Sequence, residues 1–301
     1  MRRVDQAQDG GIALELALLA LLALFWGSSY LFIRIAVETI PPITLIAFRV
    51  TIAAVLLLGL LAWKGHRLPK DRRTWLALGL QAFLNSFGAW TLLAWGQQYV
   101  ESGLAGVLNS TSPIFVFFLT LIVTRHESLS SRRLLGACLG LCGVALIMGL
   151  DVLEGLGQEV LAQAAVLFAA FLYALAAIYG KRFGHLPASV TAASAMLWSC
   201  AVLIPASLLL EAPWRLQPAP EAIAAVMALG VFCTAGALLI YFRLVRTLGS
   251  IGVTSQSYLR SGVSVLLGVL ILGESFSPPI AVGLAAAILG VLLINWPSRR
   301  R

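Results

Sequence analysis

The sequence predicts an all-α membrane protein with ten transmembrane helices in two inverted five-helix repeats and with both termini in the cytoplasm. Composition, the spacing of the apolar runs and the placement of Lys and Arg lead to this prediction. Of the 301 residues, 60% are hydrophobic and 11% are charged, whereas a soluble domain has about 25% charged residues. A chain this apolar cannot cover a water-facing surface, so most of its surface must face lipid.

Ten apolar runs are long enough to cross a bilayer, which takes about 20 residues as a helix. Their separators carry turn residues such as Pro41-Pro42 and Pro278-Pro279, and none is long enough to hold a soluble domain. Residues 1–301 are therefore predicted to form a single membrane domain. The ten predicted spans lie near residues 13–36, 42–63, 74–96, 102–124, 132–150, 160–181, 188–210, 220–242, 250–273 and 279–296.

Lys and Arg residues indicate the orientation, because cytoplasmic loops carry an excess of them. Outside the apolar runs they occupy the N-terminus, every even-numbered loop and the C-terminus. The odd-numbered loops are acidic or neutral and carry Arg215 as their one basic residue. This bias predicts a multi-pass protein of the inner (plasma) membrane with cytoplasmic termini. Because the basic residues are spread between apolar runs, the net charge of +8 predicts no nucleic-acid partner.

The chain repeats itself at a constant offset of 147 residues. Such an offset indicates two copies of one ancestral unit, here 13–150 (spans 1–5) and 160–296 (spans 6–10). Five spans carry the chain to the other side of the membrane, so the second copy must run inverted relative to the first. Secondary transporters are built in this way, with the substrate site near the middle of the bilayer, so lipid and a small molecule are the expected partners. The matched pairs include Glu127 with Glu274, Ser128 with Ser275, Ser130 with Ser277, Gly136 with Gly283, Gly143 with Gly290 and Val144 with Val291.

Span 1 contains the sequence Phe25-Trp26-Gly27-Ser28-Ser29-Tyr30, with Arg34 one turn later, and Ser112-Pro113 precedes Glu127, Gly136 and Gly143. These motifs resemble those of the drug/metabolite transporter superfamily, EamA type, and the resemblance covers nearly the whole chain. It implies ten helices in two inverted repeats around a central substrate cavity. It also implies an exporter of amino acids or related metabolites, similar to the bacterial aromatic amino-acid exporter. One departure is Arg260, which stands at the repeat position of Pro113, where the family pattern leads us to expect Pro.

Arg260 is the strongest candidate for substrate binding. It lies near the middle of span 9, where an Arg costs roughly 2.5–3.5 kcal/mol on insertion scales. Asp and Glu are absent from the middle of every span. We predict that its guanidinium faces a watery cavity and binds a carboxylate through a charge-assisted bidentate contact. The alternative is that Arg260 bonds to backbone carbonyls, or that the helix ends closer to Arg260 than predicted and its side chain snorkels to the interface.

Amide, hydroxyl and aromatic residues of other spans are candidates for the rest of the cavity, because an apolar pocket with few polar groups suits such a ligand. Interhelical hydrogen bonding, which contributes ~0.6 kcal/mol on average in membranes, is the alternative for the amides. The predicted polar contacts are Gln256, Asn85, Asn109, Gln81 and Ser112, and the predicted apolar walls are Trp26, Trp90 and Tyr258.

Two further Arg and two Glu residues are interpreted as structural. Arg49 is expected to snorkel toward the outer interface with Glu38 as its partner, and Arg34 lies at the outer end of span 1. Glu127 and Glu274 each precede a helix start, where a carboxylate caps and orients the next helix.

Small residues recur one turn apart on spans 5 and 10. Gly136, Gly140, Gly283 and Ala287 form faces that permit close helix approach. The two spans are therefore predicted to form a static packing pair, with a homo-oligomer contact as the alternative.

Missing residue types restrict the function. Cys138, Cys142, Cys200 and Cys233 lie in apolar runs without metal-ligand spacing, so we interpret them as small buried residues and predict no metal or cofactor. No Asp, Glu, Ser and His cluster at one depth, so no enzyme is predicted, and the lack of a P-loop excludes direct ATP coupling.

We therefore predict a secondary transporter that moves amino acids (aromatic or other neutral) or related small metabolites by alternating access, with export taken from the resemblance. Because no carboxylate lies deep in a span to relay protons or sodium, we expect gradient-driven, facilitated movement. The alternatives are a carrier for another metabolite or drug, such as the nucleotide-sugar type, or else a channel or an intramembrane enzyme.

Overall fold

Helices make up most of the chain in the computed structural model, which describes residues 2–124, 131–148, 158–247, 256–275 and 278–295; no strand occurs in these ranges. The first half contains α1 (Arg2–Ala36), α2 (Pro42–Trp63), α3 (Arg72–Ala82), α4 (Gly88–Gly96), α5 (Ser102–Asn109), α6 (Ser112–Thr124) and α7 (Ser131–Met148). The second half contains α8 (Gln158–Tyr179), α9 (Ala188–Leu210), α10 (Pro220–Gly230), α11 (Ala237–Thr247), α12 (Gln256–Leu272) and α13 (Pro278–Asn295).

Within the described ranges, seven helical segments are long and apolar enough to cross a membrane. Shorter apolar segments, Leu134–Gly143, Leu259–Leu272 and Ala281–Gly290, lie in α7, α12 and α13. Helices therefore occupy all ten predicted positions, and seven of them reach spanning length on these criteria. Residues 250–255 of predicted span 9 lie outside the described residues.

Spans 3 and 8 each contain one wide turn of π-helix, at Phe83–Phe87 between α3 and α4 and at Val231–Gly236 between α10 and α11. In the first turn the Gly88 N–H donates to the Phe83 carbonyl five residues back. In the second, the Thr234 Oγ1 donates to the Leu229 carbonyl at 2.8 Å. The two turns overlap at the 147-residue offset, and turns of this kind are frequent at functional sites.

Span 4 is broken between α5 and α6. The Ser110 hydroxyl donates to the Gly106 carbonyl at 2.7 Å, and the Thr111 hydroxyl donates to the Leu108 carbonyl at 2.6 Å. These side-chain bonds compete with the helical ladder, and Pro113 has no N–H with which to continue it. The predicted span 102–124 therefore contains a break at Ser110 and Thr111, and Ser102–Leu119 is still long and apolar enough to cross a membrane.

Most helix contacts occur twice: when two helices pack together, the two helices that lie 147 residues away from them in the sequence also pack together. α1 packs against α12, and its counterpart α8 packs against α5 and α6. α4 packs against α8, as α10 and α11 pack against α1. α3 packs against α9, as α10 packs against α2. The pairs α2 with α9 and α7 with α13 join counterparts directly.

The close packing of α7 and α13 confirms the prediction of a packing pair. A Cβ on Gly143 would lie 2.6 Å from the Gly283 carbonyl oxygen, and one on Gly290 would lie 2.5 Å from that of Gly136. Only a residue without a side chain permits this approach. The interpretation of the cysteines was wrong for two of the four, since Cys138 and Cys142 are exposed on the outer surface of α7; an apolar outer face meets lipid rather than water.

Two large apolar clusters form the interior. One is built mainly from α2, α9 and α10, and the other from α4, α5 and α8. Trp90 on α4 packs against both of them. The junction of the two clusters, around Trp90, lies between the two halves of the chain.

Hydrogen bonds between loops define the two ends of the helix bundle. His66 Nδ1 lies 3.1 Å from Ser189 Oγ, so the loop after α2 meets the start of α9. At the other end of α2, the Ala219 N–H donates to Thr39 Oγ1 at 3.2 Å. Loops 64–71 and 184–187 therefore share one end of the bundle, and loops 37–41 and 211–219 share the other.

Candidate substrate site

A polar group joins α1 to the broken end of α5. The Asn109 Nδ2 donates to the Tyr30 hydroxyl at 2.6 Å, and both residues are buried. The Asn109 Oδ1 is buried without a hydrogen-bond partner among the described residues. Because a buried amide oxygen normally accepts a hydrogen bond, this atom is available to a ligand that carries a donor.

Arg260 lies beside this group on α12. The neighbouring Ser261 hydroxyl donates to the Ser110 hydroxyl at 2.5 Å, which ties α12 to the break between α5 and α6. The Arg260 Nε is buried and has no hydrogen-bond partner in the described part of the chain. Glycines permit the close approach of α12: a Cβ on Gly27 would lie 2.6 Å from Val263 Cγ1, and one on Gly106 would overlap Ser264 Oγ.

Arg49 supplies a second guanidinium at the junction of the two halves. It is 3% exposed, its Nε donates to Thr234 Oγ1 at 2.9 Å, and its Cζ lies 4.0 Å from the centroid of the Trp90 ring. Thr234 belongs to the second π turn, and Trp90 follows the first by one turn of helix. A residue of the second π turn and a residue just after the first therefore contact the same Arg.

Tyr173 on α8 lies near both guanidinium groups. Tyr30, Arg49, Arg260 and the Trp90 indole are all close enough to affect its hydroxyl. We use the name central site for the group that Tyr30, Arg49, Trp90, Asn109, Tyr173, Thr234 and Arg260 form.

The structure brings three predicted site residues, Arg260, Asn109 and Trp90, into the central site. Trp26 packs instead against Tyr241, with ring centroids 5.5 Å apart, in a separate apolar cluster with Leu19 and Leu22. Gln81 donates to the Ala176 carbonyl at 3.3 Å, which is the interhelical bond given above as its alternative role.

The remaining predicted site residues have no described contact with the central site. Asn85 lies in the first π turn and Ser112 begins α6, and both are half-buried. The backbones of Gln256 and Tyr258 lie in the first turn of α12, and their side chains fall outside the described residues.

The predicted pairing of Arg49 with Glu38 was wrong. Glu38 is exposed in the loop before α2. Arg49 lies inside α2, is buried and donates to Thr234. The helix directs the Arg49 side chain toward α10 and α11 rather than along the outer surface. Arg49 and Thr234 are thus candidate site residues that were not predicted from the sequence, although the criterion applied to Arg260, an Arg inside an apolar run, also fits Arg49.

Arg34 has the structural role that was predicted. Its Nη1 donates to the carbonyls of Gln97 and Gln98 at 2.6 and 3.0 Å, at the C-terminal end of α4. A cation there compensates the partial negative charge of the helix end.

The composition of the central site suits the recognition of a charged small molecule. Two guanidinium groups, an amide and tyrosine hydroxyls converge on one apolar junction, and they offer hydrogen-bond donors for an anionic group. The comparison with known families is consistent with this arrangement. The model of the EamA-like transporter family matches twice, at residues 13–149 and 160–296. The chain belongs to the EamA-like transporter family.

Relatives in this family match over most of their length. The uncharacterized inner membrane transporter YedA of Escherichia coli (strain K12) is 30% identical over 280 residues, which cover 92% of this chain and 89% of YedA. The S-adenosylmethionine/S-adenosylhomocysteine transporter of Chlamydia trachomatis serovar L2 is 26% identical over 295 residues, which cover 94% of this chain and 90% of that protein.

One solved crystal structure superposes on this EamA-type chain with a TM-score of 0.66 at 20% identity. The superposition covers 96% of this chain and 99% of the other. At this level of identity the likeness shows the fold alone. The fold class is therefore an all-helical membrane transporter with the EamA domain in tandem.

Proposed function

We propose that the chain is a secondary transporter of the inner membrane that moves amino acids, aromatic or other neutral, or related small metabolites by alternating access, with export as its direction. The observation that carries the proposal is the buried, unpaired Arg260 Nε at the junction of the two family domains. An Arg is too costly inside a membrane to be retained there without a role. Carriers of this type bind their substrate at the junction of their repeats.

The loop contacts support ten spans in two inverted copies. Thr39 and Leu186 are related by the 147-residue offset, yet the loop of Thr39 lies at one end of α2 and the loop of Leu186 lies at the other. The paired helix contacts and the overlapping π turns follow the same relation. Two similar halves of opposite orientation can exchange conformations at small energetic cost, which is the physical basis of alternating access.

The charge of the loops supports cytoplasmic termini. Loop 64–71, which contains Lys64, Arg67 and Lys70, lies at the same end of the bundle as Lys181 and Arg182. Arg243, near the end of α11, pairs at 2.9 Å with Glu15, at the start of the first candidate membrane span. The basic loops thus gather at one end, which the positive-inside rule assigns to the cytoplasm.

The substrate class follows from the donors of the central site. In this proposal Arg260 binds the substrate carboxylate through charge-assisted hydrogen bonds, the Asn109 Oδ1 accepts a bond from the substrate ammonium group, and Trp90 contacts its apolar part. The amino-acid carboxylate and ammonium group are common to all members of this class. The central site therefore recognises what they share, and the apolar surroundings select among side chains.

A second candidate is an S-adenosylmethionine-type metabolite, which the named activity of the Chlamydia trachomatis relative favours. Such a molecule carries the same amino-acid group, so Arg260 and Asn109 would keep their roles. The two candidates differ in the size of the group that must fit beside Trp90.

Counterflow into proteoliposomes tests the proposal. Vesicles with the purified protein are loaded with one unlabelled amino acid or S-adenosylmethionine, and uptake of the labelled compound is followed without an ion gradient. We expect uptake of at least one of these compounds, a strong decrease for Arg260→Ala and wild-type uptake for Arg215→Ala, whose side chain is exposed in a loop. Uptake by none of them, or full activity of Arg260→Ala, would contradict the proposal; accumulation that requires a pH or sodium gradient would contradict facilitated movement.

A further inference from the structure

Arg49 is a buried cation, and its described contacts are with neutral groups only. Its Nε is held by a neutral hydroxyl, that of Thr234, and its planar face lies on the neutral ring of Trp90. No described residue accepts a hydrogen bond from its two terminal nitrogens. Cation–π contact and a neutral acceptor offset only part of the cost of removing a guanidinium from water.

Among the described residues, no acidic side chain pairs with Arg49. In the sequence, the 13 Asp and Glu residues fall near the N-terminus, between the apolar runs or at their ends. Of those nearest to the helix interiors, Glu15 pairs with Arg243, and Glu211 and Glu274 accept backbone N–H bonds at the starts of α2 and α5. Among the described residues, the central site therefore holds two positive charges, Arg49 and Arg260, and no negative one.

The geometry leaves the terminal edge of the Arg49 guanidinium available. Because Thr234 occupies the Nε side and Trp90 covers one face, the group is fixed in orientation, and its two terminal nitrogens form a fork. A fixed fork of this kind fits both oxygens of a carboxylate. Tyr173 lies near both guanidinium groups, so Arg49 and Arg260 belong to the same junction.

We propose that Arg49 is a second anion-binding residue of the central site and that the transported substrate carries two carboxylates, one for each Arg. This inference rests on the amino-acid transport proposed above, and it replaces the neutral substrates of that proposal by acidic ones. An acidic amino acid fits best, since the Asn109 Oδ1 can accept a bond from its ammonium group. A zwitterion with a single carboxylate leaves one guanidinium buried and unpaired, which disfavours its binding.

Three probes of similar size test the inference on the wild-type protein. L-Glutamate has two carboxylates and an ammonium group, L-glutamine has one carboxylate and the ammonium group, and succinate has two carboxylates alone. In counterflow we expect glutamate to exceed glutamine by about 10-fold or more, which is the range expected when a charged hydrogen-bond partner is lost.

Variants then assign the preference to Arg49. Arg49→Gln should lower glutamate uptake about 10-fold or more relative to glutamine uptake, so that the preference for glutamate disappears. Arg49→Lys, which keeps the charge, should restore part of it. Arg215→Gln, at an exposed loop position, is the matched control. If Arg49→Gln does not fold, the wild-type comparison of glutamate with glutamine decides alone.

Each outcome separates this inference from the broader proposal. Exchange of glutamine or phenylalanine without exchange of glutamate overturns the inference and leaves amino-acid transport standing. Exchange of succinate alone supports two carboxylates and contradicts an amino-acid substrate. Equal exchange of glutamate and glutamine, or an Arg49→Gln variant that retains the preference, overturns the role of Arg49.

Discussion

The carboxylate of Glu274 accepts hydrogen bonds from the backbone N–H groups of Ser102 and Gly103, at 2.6 and 2.9 Å. Glu274 lies in the second family domain, and the two N–H groups begin α5 in the first. The carboxylate therefore caps a helix of the other half, where it meets the positive end of the helix dipole. Glu274 was predicted to cap the helix that follows it, whereas both of its carboxylate oxygens accept bonds from the start of α5. Glu127 lies outside the described residues.

We expect Glu274→Gln to destabilise the protein, because the amide retains shape but loses the charge-assisted bonds. Loss of an N-terminal cap costs about 0.5–2 kcal/mol, so the Tm in detergent should fall. Glu221→Gln, at an exposed position in the first turn of α10, is the control. An unchanged Tm for Glu274→Gln would show that the cap contributes nothing to the contact between the halves.

The pH dependence of stability should report on Glu101, which precedes the same helix start. Burial and, after it, the negative charge of Glu274 raise the pKa of the Glu101 carboxyl above its ordinary value. The folded protein then holds this proton more tightly than the unfolded chain, so the resulting stabilisation is lost as the pH rises through the folded pKa. Between about pH 4 and about pH 7, the Tm of Glu101→Gln should rise relative to wild type. A constant difference between the two proteins would rule out this linkage.

Arg34 should affect stability and not substrate preference. Arg34→Met removes the donor to the Gln97 and Gln98 carbonyls, and we expect a lower Tm. Lys181→Met changes the repeat-related residue, which is exposed, and should leave the Tm unchanged. A change in the glutamate-to-glutamine ratio of Arg34→Met, in vesicles that retain folded protein, would place Arg34 in the site instead.

The α7–α13 contact should not tolerate a side chain. Gly143→Leu places atoms where Ala287 and Gly283 already lie, since even a Cβ would be 2.6 Å from them. We expect loss of the monodisperse peak in size-exclusion chromatography and a fall in Tm. Gly59→Leu, at a helix position with no atom within 4 Å of a Cβ, is the matched control. Normal behaviour of Gly143→Leu would mean that the two helices separate without cost.

The sequence predicted much of the fold because helix length and apolar composition are local properties. The helices found at α2, α9 and α13 begin and end within about two residues of the predicted bounds. The close packing of α7 against α13 was also predicted, because small residues recur one turn apart on both helices. The π turns could not be predicted, because they depend on which carbonyl accepts a given N–H rather than on hydrophobicity.

The candidate site was predictable only in part. Arg260 stood out as a charge in an apolar run, and Asn109 as a polar residue on span 4. The partners of Arg49 lie in α10–α11 and α4, far from it in the chain, so the interpretation from neighbouring residues led to Glu38. Long-range contacts such as Arg49 with Thr234 become apparent only when the two halves are packed together.

Labelling of repeat-related positions tests the central claim, that the two halves are antiparallel copies, most directly. Single cysteines are introduced at Thr39, Leu186, Arg67 and Trp214 in a protein whose four native cysteines are replaced by alanine, and intact cells are treated with an impermeant maleimide. We predict labelling at positions 39 and 214 from outside, and at 186 and 67 only after the membrane is permeabilised. Labelling of positions 39 and 186 from the same side would contradict the claim and remove the physical basis of the proposed transport.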